Sequence, residues 1–338
     1  MQKPERSVLI CDPTLRDGNH AVRHQLSVEQ ISAYATAANR AGVPIVEVGH
    51  GNGLGASSLQ VGLSKTDDLT ALEAARKALT SSRLGVHVIP GFATIQRDLR
   101  NALDVGVDVF RIASHCTEAD ITERHMGYIK ENGREVFGVL MMSHMASVEV
   151  LVEEALKMQA YGAEALIIMD SAGSYIPPEV TARISALVDA LSIPVGFHGH
   201  NNLGMAIANS IAAVDAGASI IDGTARGFGA GAGNTQLEAL IAVFERMGIR
   251  TGIDLYKILD AGDLAERRLV ESLPTISSVS IVSGLAGVFS GFVKPVNRIA
   301  AEYDLDPRDI FFELGRRKVV AGQEDMIIEV ATELSGRG

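Results

Sequence analysis

Cysteine is nearly absent. Two thiols, Cys11 and Cys116, in 338 residues are too few for a disulfide framework, so a reducing, cytoplasmic compartment is expected. Long apolar runs are missing too. None reaches the roughly 18 residues of a membrane span, and the longest candidate, Val279 to Val293, is broken by Ser and Gly and stopped by Lys294. The start, Met1-Gln2-Lys3-Pro4-Glu5-Arg6, has no apolar signal core behind it. Nor is there an excess of positive charge: a net charge of -11 argues against a nucleic-acid surface. What is present is the composition of a globular protein, 47% apolar and 21% charged, with ample core. The length leaves room for a parallel α/β barrel of about 250 residues and an appendage.

Short β-type runs alternate with helical ones. The candidate strands are Val8-Cys11, Ile45-Val48, Leu84-Ile89, Val109-Ile112, Val136-Met141, Ala165-Met169, Val195-His198 and Ile220-Asp222. Glycines at 42, 106, 162 and 217 stand where helices must stop before the next strand. Eight strands separated by helices predict a (β/α)8 TIM barrel over residues 1–262. From 263 to 338 the pattern is wholly helical, with a helix opened by Asp306-Pro307 and another from about Gln323 to Leu334.

Chemistry in such barrels sits at the C-terminal ends of the strands. Gathered there are Arg16, Asp17 and His20; Glu47 and His50; His87; Arg111, Ser114 and His115; Met141 and His144; Asp170 and Ser171; and His198 and His200. Seven of the nine histidines fall on this one face, which packing alone does not require. His198 and His200, at i and i+2 on an extended segment, point the same way. That is a metal-ligand spacing, and the plain alternative is a pair hydrogen-bonded in a loop. Asp17 is the natural third ligand, unless it merely pairs with Arg16 or Arg23. Two imidazoles and a carboxylate favour Mn, Fe, Co, Ni or Zn over Ca and leave positions open for substrate. Arg16 offers a planar, permanently charged fork for a carboxylate or enolate oxygen. An unperturbed imidazole has its pKa near neutrality, so His20 suits proton transfer, or is an ordinary exposed histidine. No lysine (3, 65, 77, 130, 157, 257, 294, 318) falls at a predicted strand end, which disfavours Schiff-base chemistry.

Thr14-Leu15-Arg16-Asp17-Gly18, His198-x-His200-Asn201 and the glycine-rich Gly227 to Asn234 together resemble the metal-dependent lyases related to hydroxymethylglutaryl-CoA lyase. Further stretches resemble one family among them, the 4-hydroxy-2-oxovalerate (4-hydroxy-2-oxohexanoate) aldolases of aromatic and sterol degradation. These are Gly18-x-His20-Ala21-x-Arg23-His24-Gln25, Glu47-Val48-Gly49-His50-Gly51, Asp170-Ser171-Ala172-Gly173, and Glu313 to Lys318 with Gly322 to Met326. The match runs nearly end to end. The resemblance implies a divalent metal held by Asp17, His198 and His200, with Mn2+ expected and Co2+, Mg2+ and Zn2+ as alternatives. It implies that Arg16 stabilises a pyruvate enolate and that His20 is the acid/base at the C4 hydroxyl. It implies as partner an acylating acetaldehyde dehydrogenase, contacted through the helical tail, with the aldehyde passed through an internal channel. A coenzyme-A-using lyase or synthase, and a non-catalytic subunit supporting a dehydrogenase, are the rival readings.

Other features qualify this expectation. Gly227 to Ala232 reads as G-x-G-x-x-A, a dinucleotide-like pattern, but no strand is expected after the next helix. Instead the glycines should let the backbone pass close to the metal face, with Asn234 opening that helix. Asp170-Ser171 offers a hydroxyl and backbone N–H groups to the substrate carboxylate, or is a plain strand-end turn. Phe289 stands where the family has a tyrosine associated with C4 configuration, so weaker discrimination between enantiomers is expected. Asn52 stands where the family commonly has an aspartate, and Ala321 stands before Gly322 where it tends to have a second glycine, so the extra methyl would narrow an aldehyde channel; His87 and Phe92 near the third strand either reshape the aldehyde pocket or are ordinary barrel packing.

Overall fold

The computed structural model describes residues 6–336. Met1 to Glu5, Lys3 included, lie outside this range, as do Arg337 and Gly338. Eight strands close into a barrel in chain order: β2 (Leu9–Leu15), β3 (Ile45–Val48), β4 (Arg83–Val88), β5 (Val109–His115), β6 (Glu135–Met141), β7 (Ala165–Asp170), β8 (Val195–Gly199) and β9 (Ile220–Asp222). Every pairing is parallel, and β9 returns to β2. Parallel strands buried on both faces read as continuous apolar runs. That is why the strand pattern is visible in the sequence.

The outer layer comprises α1 (Val28–Ala41), α2 (Asp68–Ala78), α3 (Arg100–Val105), α4 (Glu123–Glu131), α5 (Val148–Ala160), α6 (Pro177–Ala190), α7 (Ala206–Asp215), α8 (Leu237–Met247) and α9 (Leu255–Arg268). Local chemistry fixes their ends. Ser27 and Gln30 form a capping box on α1, and Asp67 and Ser147 cap α2 and α5. Gly42 and Gly106 stop α1 and α3 in the left-handed conformation. Small buried faces, such as Ala35, Ala38 and Ala41 on α1, let the helices approach the strands closely.

Two-residue strands β1 (Arg6–Ser7) and β10 (Ile249–Arg250) pair outside the barrel. A strand therefore does follow α8, contrary to expectation. It pairs with β1 rather than with β9, so no βαβ nucleotide unit forms.

Residues 262 and 263 lie within α9, whose Ile258, Ala261 and Ala265 pack into the barrel core. Beyond it, α10 (Ser278–Ala286), α11 (Val293–Tyr303), α12 (Pro307–Arg316) and α13 (Asp325–Leu334) share a separate core that includes Phe292, Val296, Phe311, Leu314 and Val330. Asp306 caps α12 at the Arg308 N–H, with Pro307 in the first turn. Among the described residues no helix is long and apolar enough to cross a membrane.

Candidate active site and metal centre

The chain leaves β2 into a single 3-10 turn, Asp17–His20, on top of the barrel. There Asp17 meets His198 and His200 at the end of β8, with the ligand atoms of all three within 4.8 Å of one another. Asp17 Oδ2 lies 3.4 Å from His198 Nε2 and 3.5 Å from His200 Nε2. The far edges of both rings are fixed. His198 Nδ1 is 2.8 Å from Asp222 Oδ2, and His200 Nδ1 is 3.0 Å from the Asp170 carbonyl. Donation from Nδ1 leaves each Nε2 lone pair facing Asp17, the arrangement that supports a metal-bound imidazole. His198 Nε2 is buried and has no hydrogen-bond partner among the described residues, so the donor set fits a divalent ion. Burial alone would raise the Asp17 carboxyl, yet the Arg16 guanidinium beside it holds it well below the usual range.

Arg16 borders this cage, its Nη1 3.5 Å from Asp17 Oδ1. Its Nε donates to Glu47, its Nη1 to the Gly51 carbonyl at 3.3 Å, and its buried Nη2 has no hydrogen-bond partner among the described residues. His20 Nε2 lies 3.9 Å from Asp17 Oδ1, and burial pushes the imidazole down to about 4, so it is neutral near pH 7. A cavity of about 330 Å³ brings together Arg16, Asp17, His20, His198, His200 and Ser171. Phe289, Val320, Ala321 and Gly322 contribute its wall from the C-terminal helical region.

Some expected residues lie elsewhere. His50 and His144 do not line the cavity; His144 Nε2 contacts the Gly287 carbonyl instead, at 2.8 Å. The Asp170 carboxylate faces away from it, accepting from the N–H groups of Ser174 and Tyr175 in the turn after β7. Ser171 remains, its Oγ accepting from Met142 N–H at 2.9 Å and keeping its own proton to donate. Arg111 sits below the face, buried between Glu47, at 3.0 Å, and Asp222, at 2.6 Å.

Asn234 does not open α8, which begins at Leu237 with Gln236 at its cap. Its Nδ2 donates to Asp17 Oδ2 at 2.5 Å. The glycine loop passes so close that a Cβ at Gly229 would collide with that amide. Neither the role of Asn234 nor that of Asp222 is marked by a local motif. For Asp222 a signal did exist: an acid ends the strand next to the one carrying His198.

Residues 7–265 match the HMGL-like family and residues 274–336 the DmpG-like communication domain. A 4-hydroxy-2-oxovalerate aldolase from Spirochaeta aurantia is 67% identical over 98% of this chain and 97% of its own length. One from Pectobacterium atrosepticum is 63% identical over the same shares. The carboxyl transferase domain of Rhizobium etli pyruvate carboxylase, solved with pyruvate and biocytin, superposes with a TM-score of 0.83 at 17% identity, covering 99% of this chain and 61% of that one. At that identity the likeness shows the fold alone. With a full-length match at this level and the matching barrel and tail, the chain belongs to the 4-hydroxy-2-oxovalerate aldolase family of HMGL-like barrels.

Proposed function

We propose that this protein is a divalent-metal pyruvate aldolase that cleaves 4-hydroxy-2-oxovalerate, or a close homologue, to pyruvate and a short aldehyde. One observation carries the reading: the Asp17, His198 and His200 donors converge beside the unpartnered Arg16 Nη2 and the neutral His20 in a single cavity. Asp17, His198 and His200 would hold the ion, Mn2+ by preference, which supplies a Lewis acid for the keto and carboxylate oxygens of the substrate. Neutral His20 accepts the proton of the C4 hydroxyl as the C3–C4 bond breaks. Arg16, held on its other edge by Glu47 and Gly51, directs its free N–H at the enolate oxygen that gains the electron pair. Water then protonates C3 to complete pyruvate, and the His20 imidazolium gives its proton back to the hydroxide left behind, which restores the neutral ring. Ser171 donates to the substrate carboxylate, and Phe289 packs along the aldehyde half without offering a hydroxyl.

The helical tail, which we divide from the barrel between α9 and α10, would dock an acylating acetaldehyde dehydrogenase and pass it the aldehyde. Two free, buried thiols suit a cytoplasmic setting.

Pyruvate release from racemic 4-hydroxy-2-oxopentanoate, measured after chelation and after Mn2+ add-back, tests the reaction beside His200→Ala. Activity should vanish on chelation, return with Mn2+ and be lost in the variant. Folded, metal-loaded protein that releases no pyruvate would refute the reading. For the partner, co-purification at native expression should return the dehydrogenase, and recovery of this chain alone would count against it.

A further inference from the structure

Two histidines in the family-like motifs have no part in the site described above. His24 and His50 are 7% and 1% exposed, and neither lines the cavity or joins the ligand cage. Their rings stack at 3.7 Å with planes 14° apart, and His24 meets the His20 ring edge-on at 5.1 Å. Main-chain donors define their protonation. The Gly51 N–H donates to His24 Nδ1 at 3.3 Å and the Asn52 N–H to His50 Nδ1 at 3.0 Å, so neither Nδ1 carries a proton. His50 therefore holds its proton on Nε2, which donates to the Gly62 carbonyl at 3.0 Å. Burial keeps both rings in this acceptor form, pushing His24 down to about 2 and His50 to about 4. His24 reaches its position through a φ of +61°, a left-handed backbone that is rare for a residue with a side chain.

Both rings hold the same short loop, Gly51-Asn52. Gly51 in turn touches two groups of the proposed chemistry. Its carbonyl accepts from Arg16 Nη1 at 3.3 Å. Its Cα packs so closely on the His20 ring that a Cβ there would stand 2.5 Å from Nε2. A small displacement of this loop would move the anion-binding fork and the proton acceptor together. We propose that His24 and His50 are positioning residues: stacked, neutral hydrogen-bond acceptors that fix the Gly51 main chain and thereby set His20 and Arg16 against the substrate. This rests on the roles given above to His20 and Arg16. A purely space-filling pair would behave differently, since any ring of similar size would then serve.

The test compares His24→Asn with His24→Phe in the full-length protein. Asparagine places an oxygen near the position of Nδ1 and tolerates left-handed backbone; phenylalanine keeps a stacked ring without the acceptor. For each variant, kcat and KM with Mn2+, Mn2+ affinity by calorimetry and Tm are measured. His24→Asn should keep kcat within about threefold of wild type, and His24→Phe should lose about 10- to 100-fold, the scale of a misplaced catalytic group. Mn2+ affinity should stay near wild type in both. Wild-type turnover in His24→Phe, or losses of kcat that simply follow Tm in both variants, would overturn the inference. Should His24→Phe not fold, His50→Asn and His50→Leu repeat the comparison at Nδ1 of the second ring, and equal kcat in those two would overturn it. His20→Ala in the same assay separates the two levels. Wild-type turnover there would refute the role of His20 itself, whatever His24 shows.

Discussion

Asp17 is held from outside the ligand set by one amide. Asn234, 2% exposed, donates from Nδ2 to Asp17 Oδ2, and so fixes the rotation of the carboxylate that faces both imidazoles. Removing such a support typically weakens metal binding about 10- to 100-fold. Asn234→Ala should show a loss of that size when metal-stripped protein is titrated with Mn2+, and unchanged affinity would mean that the cage stands without the amide. The three converging donors were legible as an H-x-H at a strand end and an acid after another strand. Asn234 was not: an amide behind a run of glycines looks like a cap or turn, and its partner lies 217 positions away. For Asp170 the plainer of its two readings, a strand-end turn, is the one its side chain adopts. Phe289 tests the aldehyde half. Phe289→Tyr adds one hydroxyl to the cavity wall, and a hydrogen bond offered to only one C4 configuration is worth about 1 kcal/mol. The ratio of kcat/KM for the two pure enantiomers should therefore rise roughly fivefold. An unchanged ratio would remove Phe289 from the control of configuration.

At the scale of elements, the decisive piece is the 3-10 turn that carries Asp17 and His20. Its carbonyl end is capped from α11: Lys294 Nζ donates to the His20 carbonyl at 2.5 Å and to the Ala21 carbonyl at 3.3 Å. A cation at the carbonyl end of a turn is favourable both as a donor and by its charge. Lys294→Met should lower kcat several-fold through looser placement of His20, the effect expected of about 1 kcal/mol, while leaving Mn2+ affinity close to wild type. Steady-state kinetics beside calorimetric titration would decide this, and an unaltered kcat would reduce the contact to surface packing. Lys294 was visible in the sequence only as the stop to an apolar run. The preceding stretch, read as a broken run, includes α10, whose Ser277 caps the Ser280 N–H and whose Gly287 ends it. Serine and glycine weaken the helical signal there, and packing in the C-terminal core supplies what propensity does not. The barrel strands were easier because each is buried on both faces. Even so, β2 runs four residues beyond the expected Cys11, to Leu15, because the polar sequence Asp12-Pro13-Thr14 conceals its continuation.

Across the whole molecule, a buried chain of charges ties the barrel together from side to side: Arg16 to Glu47, Glu47 to Arg111, Arg111 to Asp222, and Asp222 to His198. It joins the turn after β2 to β3, β5, β9 and β8, and thus Arg16 to one of the three donors that would hold a metal. Buried ion pairs add little net stability, but removing one member strands the others, which costs several kcal/mol. Glu47 shows how this enters global stability. Burial alone would raise its carboxyl, but Arg111 and Arg16 hold it at about 2, against an ordinary 4.5. Because the folded value is depressed, the stabilisation is fully present above about pH 4.5 and is lost as the pH falls toward 2. The displacement corresponds to a contribution on the order of 3 kcal/mol at neutral pH. Glu47→Gln should therefore unfold at lower urea than wild type at pH 7, and the difference in unfolding free energy should shrink as the pH is lowered through 4 toward 3. A difference that stays constant over that range would show that the Glu47 charge is not what the barrel depends on, and that the variant is weakened by altered packing instead.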